Sequence, residues 1–518
     1  MGKAWKKVNT SWNQLSSSPL REPPRLRRRR TPPHPSLSPT SPTAAVAIET
    51  LPEFPAIAAA SSPSSFTVLI KARAPPLPTH DGRAALDLVA VLDVSHSMEG
   101  RKLALVKHAV GFIIRSLTPA DRLAIVAFSN TTNRVLGLRL MSDAGRAEAA
   151  NAINSLVACG GTDIAGGLSV GIRILEERRF RNPVTSIILL SDGIDTMDRS
   201  SLAGLHGSSR TRAFLHRLPP TAHSIGPIHT FGFGADHDPG IMHAVAEATC
   251  GTFSFVEKEE AVSDAFAACL AGLLSVVAQR VQMNICSASP GVYLTSVATG
   301  NYSSSISDHR LTAVISVGDL YAEEEKYFLL DVTVPIKEEQ KDPWTPLEER
   351  TTVRRPASLS PEDESANLIV DGQRNRILVA ESIAEAQAKA DGGDLEGAKA
   401  VLDARRAALV ASSSAQAGNE LCAWLDKELK EIRDRMANRR AYEESGRAYM
   451  LSGMSSHSWQ RAALRGQTTM LSSAPTAVTF RTQAMAEMLD RSREWSRASP
   501  LLVDGRSPAP QTPEGRRR

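Results

Sequence analysis

Cysteine is scarce in this chain: five residues in 518, Cys159, Cys250, Cys269, Cys286 and Cys422, with no Cys-x-x-Cys pair among them. An odd, dispersed set inside apolar stretches reads as reduced core residues, which points to the cytoplasm or the nucleus. Long apolar runs are missing as well. The longest nearly apolar stretch, "AFAACLAGLLSVVA" from Ala265, is too short to span a bilayer, and no apolar core of a secretory signal stands near the start. No membrane span is expected. Neither a Gly-x-Ser-x-Gly elbow nor a phosphate-binding glycine loop is present, so two common catalytic signatures fall away.

Charge is present but unevenly spread. The net charge is +4, yet the first fifty residues hold nine Lys or Arg against Glu22 and Glu49, and the last eighteen residues are also basic. The middle of the chain is therefore mildly acidic. Residues 1–62, with "REPPRLRRRRTPPHPSLSPTSP", have no hydrophobic pattern and read as a disordered basic arm rich in Pro, Ser and Arg. Arg27 to Arg30 read as solvated charge, with nuclear import or organelle transit as alternatives. "MGKAWK" fails the myristoylation pattern, because Lys6 stands where Ser or Thr is required. The arm lacks interleaved aromatics and a folded reader, so only salt-sensitive, sequence-indifferent association with nucleic acid is open to it. No specific nucleic-acid partner is expected.

From residue 84 the pattern changes. The runs "LDLVAVLDVS", "RLAIVAFS", "VTSIILLSDG" and "IHTFGFG" alternate with helical periodicity such as Leu103, Val106, Val110, Ile113, Ile114 and Leu117. Strands this continuously apolar need helices on both faces, which predicts an α/β fold with a doubly wound, mainly parallel sheet. "NRVLGLRL" is expected as an antiparallel edge strand. A long helix over 257–279 is expected to close the domain.

Ligands of such sheets bind at the C-terminal ends of the strands. There the sequence places Asp93, Ser95 and Ser97 in "LDVSHSM", Thr162 in "CGGTDIAGG", and Asp192 in "LLSDGIDT". Two carboxylates and three hydroxyls, completed by water and one outside ligand, form a hard oxygen set suited to Mg²⁺ or Mn²⁺. Each loop alone reads more readily as a helix cap or an ordinary turn; the three together point to a metal site. Asp163 and Asp195 are expected to brace the turns. The histidines over 206–243 lack ligand spacing and read as surface or core residues.

In order and placement, Asp93-x-Ser95-x-Ser97, Thr162 and Asp192 resemble the metal-ion-dependent adhesion site of von Willebrand factor type A domains, over residues 82–280. The resemblance implies that the serines and threonine meet the metal while the aspartates bind it directly or through water. It also implies a protein partner that offers an Asp or Glu to the remaining position. A phosphatase of the haloacid-dehalogenase type, the metal-dependent hydrolase alternative, needs a second aspartate where Ser95 stands.

Flanking segments alternate with period two. Residues 65–76 together with 281–356 are expected to form a β-sandwich. Residues 365–470 read as a helical region: two amphipathic helices around "DGGDLEG", then a third in "NELCAWLDKELKEIRDRM". Residues 471–518 read as a mostly disordered tail. "GRAYMLSGMSSHSWQRAALRG" and "GTFSFVEKEEAVSDAFAACLAGLLSVVAQ" are similar to plant adhesion-domain ubiquitin ligases of the wavy-growth type. In that family a RING finger precedes the same array. A RING needs spaced pairs of Cys and His ligands, and no cysteine stands before residue 84. The resemblance thus implies an interaction protein without catalytic activity of its own, in homo- or hetero-oligomers with RING-bearing relatives. The alternative is a ligase family member that acts through a RING-bearing partner.

Overall fold

A computed structural model describes residues 45–78, 82–196, 207–336, 351–463 and 480–498. Two antiparallel strands open it, β1 (Ala47–Pro52) and β2 (Phe66–Arg73), and the α/β domain follows. Its elements are β3 (Leu86–Asp93), α1 (Arg101–Ser116), β4 (Arg122–Phe128), β5 (Thr132–Leu140), α2 (Asp143–Asn154), α3 (Ile164–Glu176), β6 (Val184–Ser191), α4 (Gly207–Leu215), β7 (Ile228–Phe233), α5 (Pro239–Ala248), β8 (Phe253–Val256) and α6 (Val262–Leu274).

The six strands run in the order β5-β4-β3-β6-β7-β8, and only β5 is antiparallel to its neighbour. The period of two along β3 explains the layering. Leu88, Ala90 and Leu92 face a core shared with α1 and α6, while Val89 and Val91 face a core shared with α3 and α5. The chain leaves β3 toward β4 and β5, then crosses back to β6 on the other side. This reversal parts the connections above β3 and β6, and a crevice opens there at the C-terminal ends of the two strands.

Five more strands follow: β9 (Val276–Cys286), β10 (Tyr293–Ala298), β11 (Ser303–Ile306), β12 (Thr312–Tyr321) and β13 (Glu325–Thr333). They join the first two strands as sheets ordered β1-β2-β13-β10 and β11-β12-β9. Phe66, Ile70, Phe328 and Leu330 of one sheet share a core with Met283, Ile315 and Leu320 of the other, so the pair is a β-sandwich.

The helical region comprises α7 (Leu368–Asp391), α8 (Leu395–Val410), α9 (Glu420–Asp434) and α10 (Arg447–Trp459). Its apolar faces extend the α3/α5 core, through Val379, Ile383, Leu425 and Met450. A last helix, α11 (Gln483–Ala498), lays Met485, Met488 and Leu489 into the α1/α6 core.

Four expectations change. Residues 47–52, inside the stretch read as a disordered arm, form β1, because Ile48, Thr50 and their neighbours pair along β2. Residues 483–498, inside the expected tail, form α11, where the contacts of its apolar face outweigh the polar composition around it. The helix expected over 257–279 is confined to Val262–Leu274, since the chain is already a strand from Val276 and pairs with β12. The cysteines are all free, but Cys159, Cys250 and Cys286 are exposed, because they sit at loop or strand-end positions rather than on core faces. Of the expected arm and tail, residues 1–44, 471–479 and 499–518 lie outside the described residues. No described helix is long and apolar enough to cross a membrane.

Candidate functional site

Strand β3 is buried along its whole length and delivers Asp93 to the crevice with no exposed surface. Val94 still bonds back to Phe128, after which the chain turns through a single 3₁₀ turn, His96–Met98. Met98 is buried and pins that turn from below. Ser95 is consequently buried and Ser97 exposed, so the loop climbs from core to solvent within five residues.

A second loop is zipped against the first: Cys159 N–H donates to Val94 O at 2.8 Å and His96 N–H to Gly160 O at 3.0 Å. Gly160 supplies the positive φ of 75° that this turn requires. Thr162 is fixed by Thr196, whose hydroxyl accepts the Thr162 N–H at 2.9 Å and whose own N–H donates to Thr162 O at 2.9 Å. Asp163 caps α3 by accepting from Gly166 N–H at 2.9 Å. Asp192 follows β6 directly and is fully buried.

These placements bring the five sequence-selected residues together. The hydroxyls of Ser95 and Ser97 are 3.0 Å apart, and Ser97 donates to Asp192 Oδ1 at 2.7 Å. Asp93 Oδ1 accepts from Ser95 N–H at 2.8 Å, and its Oδ2 accepts from the Ser191 hydroxyl at 2.5 Å. Gly193 lies against the same group. A Cβ there would come 3.0 Å from Thr162 Oγ1 and 3.8 Å from Ser97 Oγ, so the glycine leaves the space in front of the hydroxyls open.

Burial pushes the Asp93 carboxyl up to about 6; its bonds from Ser191 and Ser95 act against this, and the charge of Asp192 adds to it. A buried carboxylate pair with one ammonium, that of Lys102 on Asp192, and none on Asp93 carries an electrostatic cost that a divalent cation is suited to relieve. The donor set, all oxygen and mixed between carboxylate and hydroxyl, has the chemistry of a Mg²⁺ or Mn²⁺ site. Among the described residues no group of three or more His, Cys, Asp or Glu is placed to hold a metal, so hydroxyls are integral to any such use of this crevice.

Three partners of the site were not anticipated. Ser191 and Thr196 sit beside named residues and are ordinary in sequence, while Lys102, whose ammonium is 2.5 Å from Asp192 Oδ2, lies nine residues after Asp93. Only a structure that apposes α1 and β6 exposes that last pairing. Asp195 is buried and pairs with Arg217 at 3.4 Å, in keeping with a bracing part. His229, His237 and His243 are buried, His216 and His223 exposed.

Sheet order, reversal point and site loops define a class, and comparison with known proteins gives the same one. Residues 88–194 match the von Willebrand factor type A domain family, and residues 419–494 match a family described as VWA / Hh protein intein-like. The α/β domain is a von Willebrand factor type A domain. A solved von Willebrand factor type A structure from Catenulispora acidiphila covers 75% of this chain and 89% of its own at a TM-score of 0.55 and 19% identity, which shows a shared fold.

Beyond that domain, the chain is similar to two proteins of Arabidopsis thaliana. One is the E3 ubiquitin-protein ligase WAV3, 30% identical over 422 residues, which are 75% of this chain and 52% of WAV3. The other is the probable E3 ubiquitin-protein ligase WAVH2, 30% identical over 72% of this chain and 50% of that protein. The chain thus spans about half the length of the curated relatives it matches.

Proposed function

We propose that the chain is a metal-dependent protein-interaction module that recruits partners or substrates in a ubiquitin-ligase-related pathway. In this reading Asp93, Ser95, Ser97, Thr162 and Asp192 hold Mg²⁺ or Mn²⁺, and an Asp or Glu of the partner takes the open position. The bound ion supplies the positive centre to which that carboxylate attaches. The protein's own residues do the rest: the two zipped loops fix the hydroxyls, Met98 anchors the turn, and the exposed rim at Ser97 admits the partner.

The observation that carries the reading is the convergence of two wholly buried carboxylates with the three hydroxyls at the reversal point of the sheet. The pathway is suggested by the relatives named as ubiquitin ligases. That same similarity supports a second reading, a ligase family member that works with a RING-bearing partner.

Affinity capture from the source tissue in Mg²⁺ and in EDTA tests the proposal, with Thr162→Ala run in parallel. Partners held in Mg²⁺ and lost together in EDTA and in the variant support it. Partners retained equally in all three would move recognition to the β-sandwich or the helical region.

A further inference from the structure

Asp192 is a carboxylate with no exposed surface, and both its oxygens are engaged: Oδ1 by the Ser97 hydroxyl at 2.7 Å, Oδ2 by Lys102 Nζ at 2.5 Å. Asp93, one strand away, receives only neutral donors, Ser95 N–H and the Ser191 hydroxyl. The two carboxylates of the crevice are therefore treated differently. One has a built-in counter-charge and the other has none.

The position of Lys102 sharpens the contrast. It lies in the first turn of α1, where the positive end of the helix dipole disfavours a cation. Its neighbour Arg101 is turned toward Glu259 and Glu260 instead. Lys102 is held at the crevice by Asp192 and by the Phe233 ring, whose centroid is 5.8 Å from Nζ. The side chain keeps 24% of its surface in water, and its stem is long and rotatable. The ammonium can thus leave the carboxylate for solvent without disturbing the core.

We propose that Lys102 is a tethered cation that competes with the divalent ion for Asp192 and so sets how tightly the site binds it, an inference that rests on the adhesion-site reading above. With the crevice free of metal, Lys102 offsets the buried charge of Asp192 and keeps the loops in register. When a divalent ion binds, two positive centres contend for the same carboxylate and the lysine is displaced toward water. The contest lowers cation affinity, so that occupancy follows the ambient concentration of the ion instead of being permanent.

The test uses the full chain as wild type, Lys102→Gln and Lys102→Arg, titrated calorimetrically with Mg²⁺ and with Mn²⁺ and melted in EDTA. Lys102→Gln should bind either ion about tenfold tighter or more, because a unit positive charge a few ångströms from the dication is gone. It should also melt lower than wild type in EDTA, and that deficit should close at saturating Mg²⁺. Lys102→Arg, which keeps the charge, should bind like wild type. Binding by Lys102→Gln alone would overturn the proposal, since a lysine that excludes the ion from wild type leaves no occupancy for it to set. Wild-type binding with equal or weaker affinity in Lys102→Gln overturns the competition while leaving the adhesion site standing. Absence of binding in all three overturns both.

Discussion

Ser191 donates its hydroxyl to Asp93 Oδ2 at 2.5 Å, from the last residue of β6 to the last residue of β3. The bond ties the two strand ends between which the candidate site lies. Both residues are wholly buried, so neither finds a replacement partner in water. Ser191→Ala should cost about 1–3 kcal/mol of stability in urea unfolding. It should also push the Asp93 carboxyl further up, since this bond is the largest influence holding it down.

His229 gives the fold an acid limit. It is buried, accepts Thr252 N–H at Nδ1 (3.1 Å), and burial lowers its pKa from 6.5 to about 3. The unfolded chain therefore binds a proton that the folded chain refuses between those two values. The stability that this neutral imidazole contributes is complete above pH 6.5 and is lost as pH falls toward 3, by about 1.4 kcal/mol per pH unit. His237, lowered to about 4 by burial, acts in the same direction over a narrower window. Unfolding free energies measured from pH 7 to 4 should show a net downward slope, to which His457, also lowered to about 3 by burial, adds and which Asp93, raised to about 6, partly opposes. His229→Gln, which keeps an acceptor for Thr252, should make it shallower, and an unchanged slope would exclude His229 as its source.

Helix α11 belongs to the von Willebrand domain's core in packing, although the chain reaches it last. Leu489 is buried against α1 and α6, Trp495 stacks on His108 at 5.5 Å, and the Arg115 guanidinium lies 4.9 Å from the Trp495 ring. Leu489→Ala should cost about 2–5 kcal/mol, as a large-to-small change in a packed core does. The same measurement on a chain ending before residue 480 should show a larger loss. Wild-type stability in either variant would mean that the helix does not dock in solution.

The α/β domain and the site loops were legible in the sequence for one reason. Strands covered on both faces are continuously apolar, so a carboxylate or a serine that ends one, as Asp93 and Asp192 do, stands out against its surroundings. The edge strand over "NRVLGLRL" was legible through its mixed composition. What escaped notice depends on partners distant in sequence. The six-residue β1 is stabilised by its pairing with β2, and α11 by a face that only α1 and α6 complete. Neither carries its own stability, so local composition misled. Lys102 escaped for the same reason, because its carboxylate partner lies 90 residues away.

The central claim, a cation held by these five residues, is tested most directly by calorimetric titration of Mg²⁺ into the wild-type chain and into Asp93→Ala, with circular dichroism confirming that both are folded. The account predicts stoichiometric binding by wild type, loss of at least about tenfold in affinity in Asp93→Ala, and weaker binding of Ca²⁺, which prefers longer bonds and more ligands than this set provides. Equal Mg²⁺ affinity in the two proteins, or none in wild type at millimolar Mg²⁺, would contradict it.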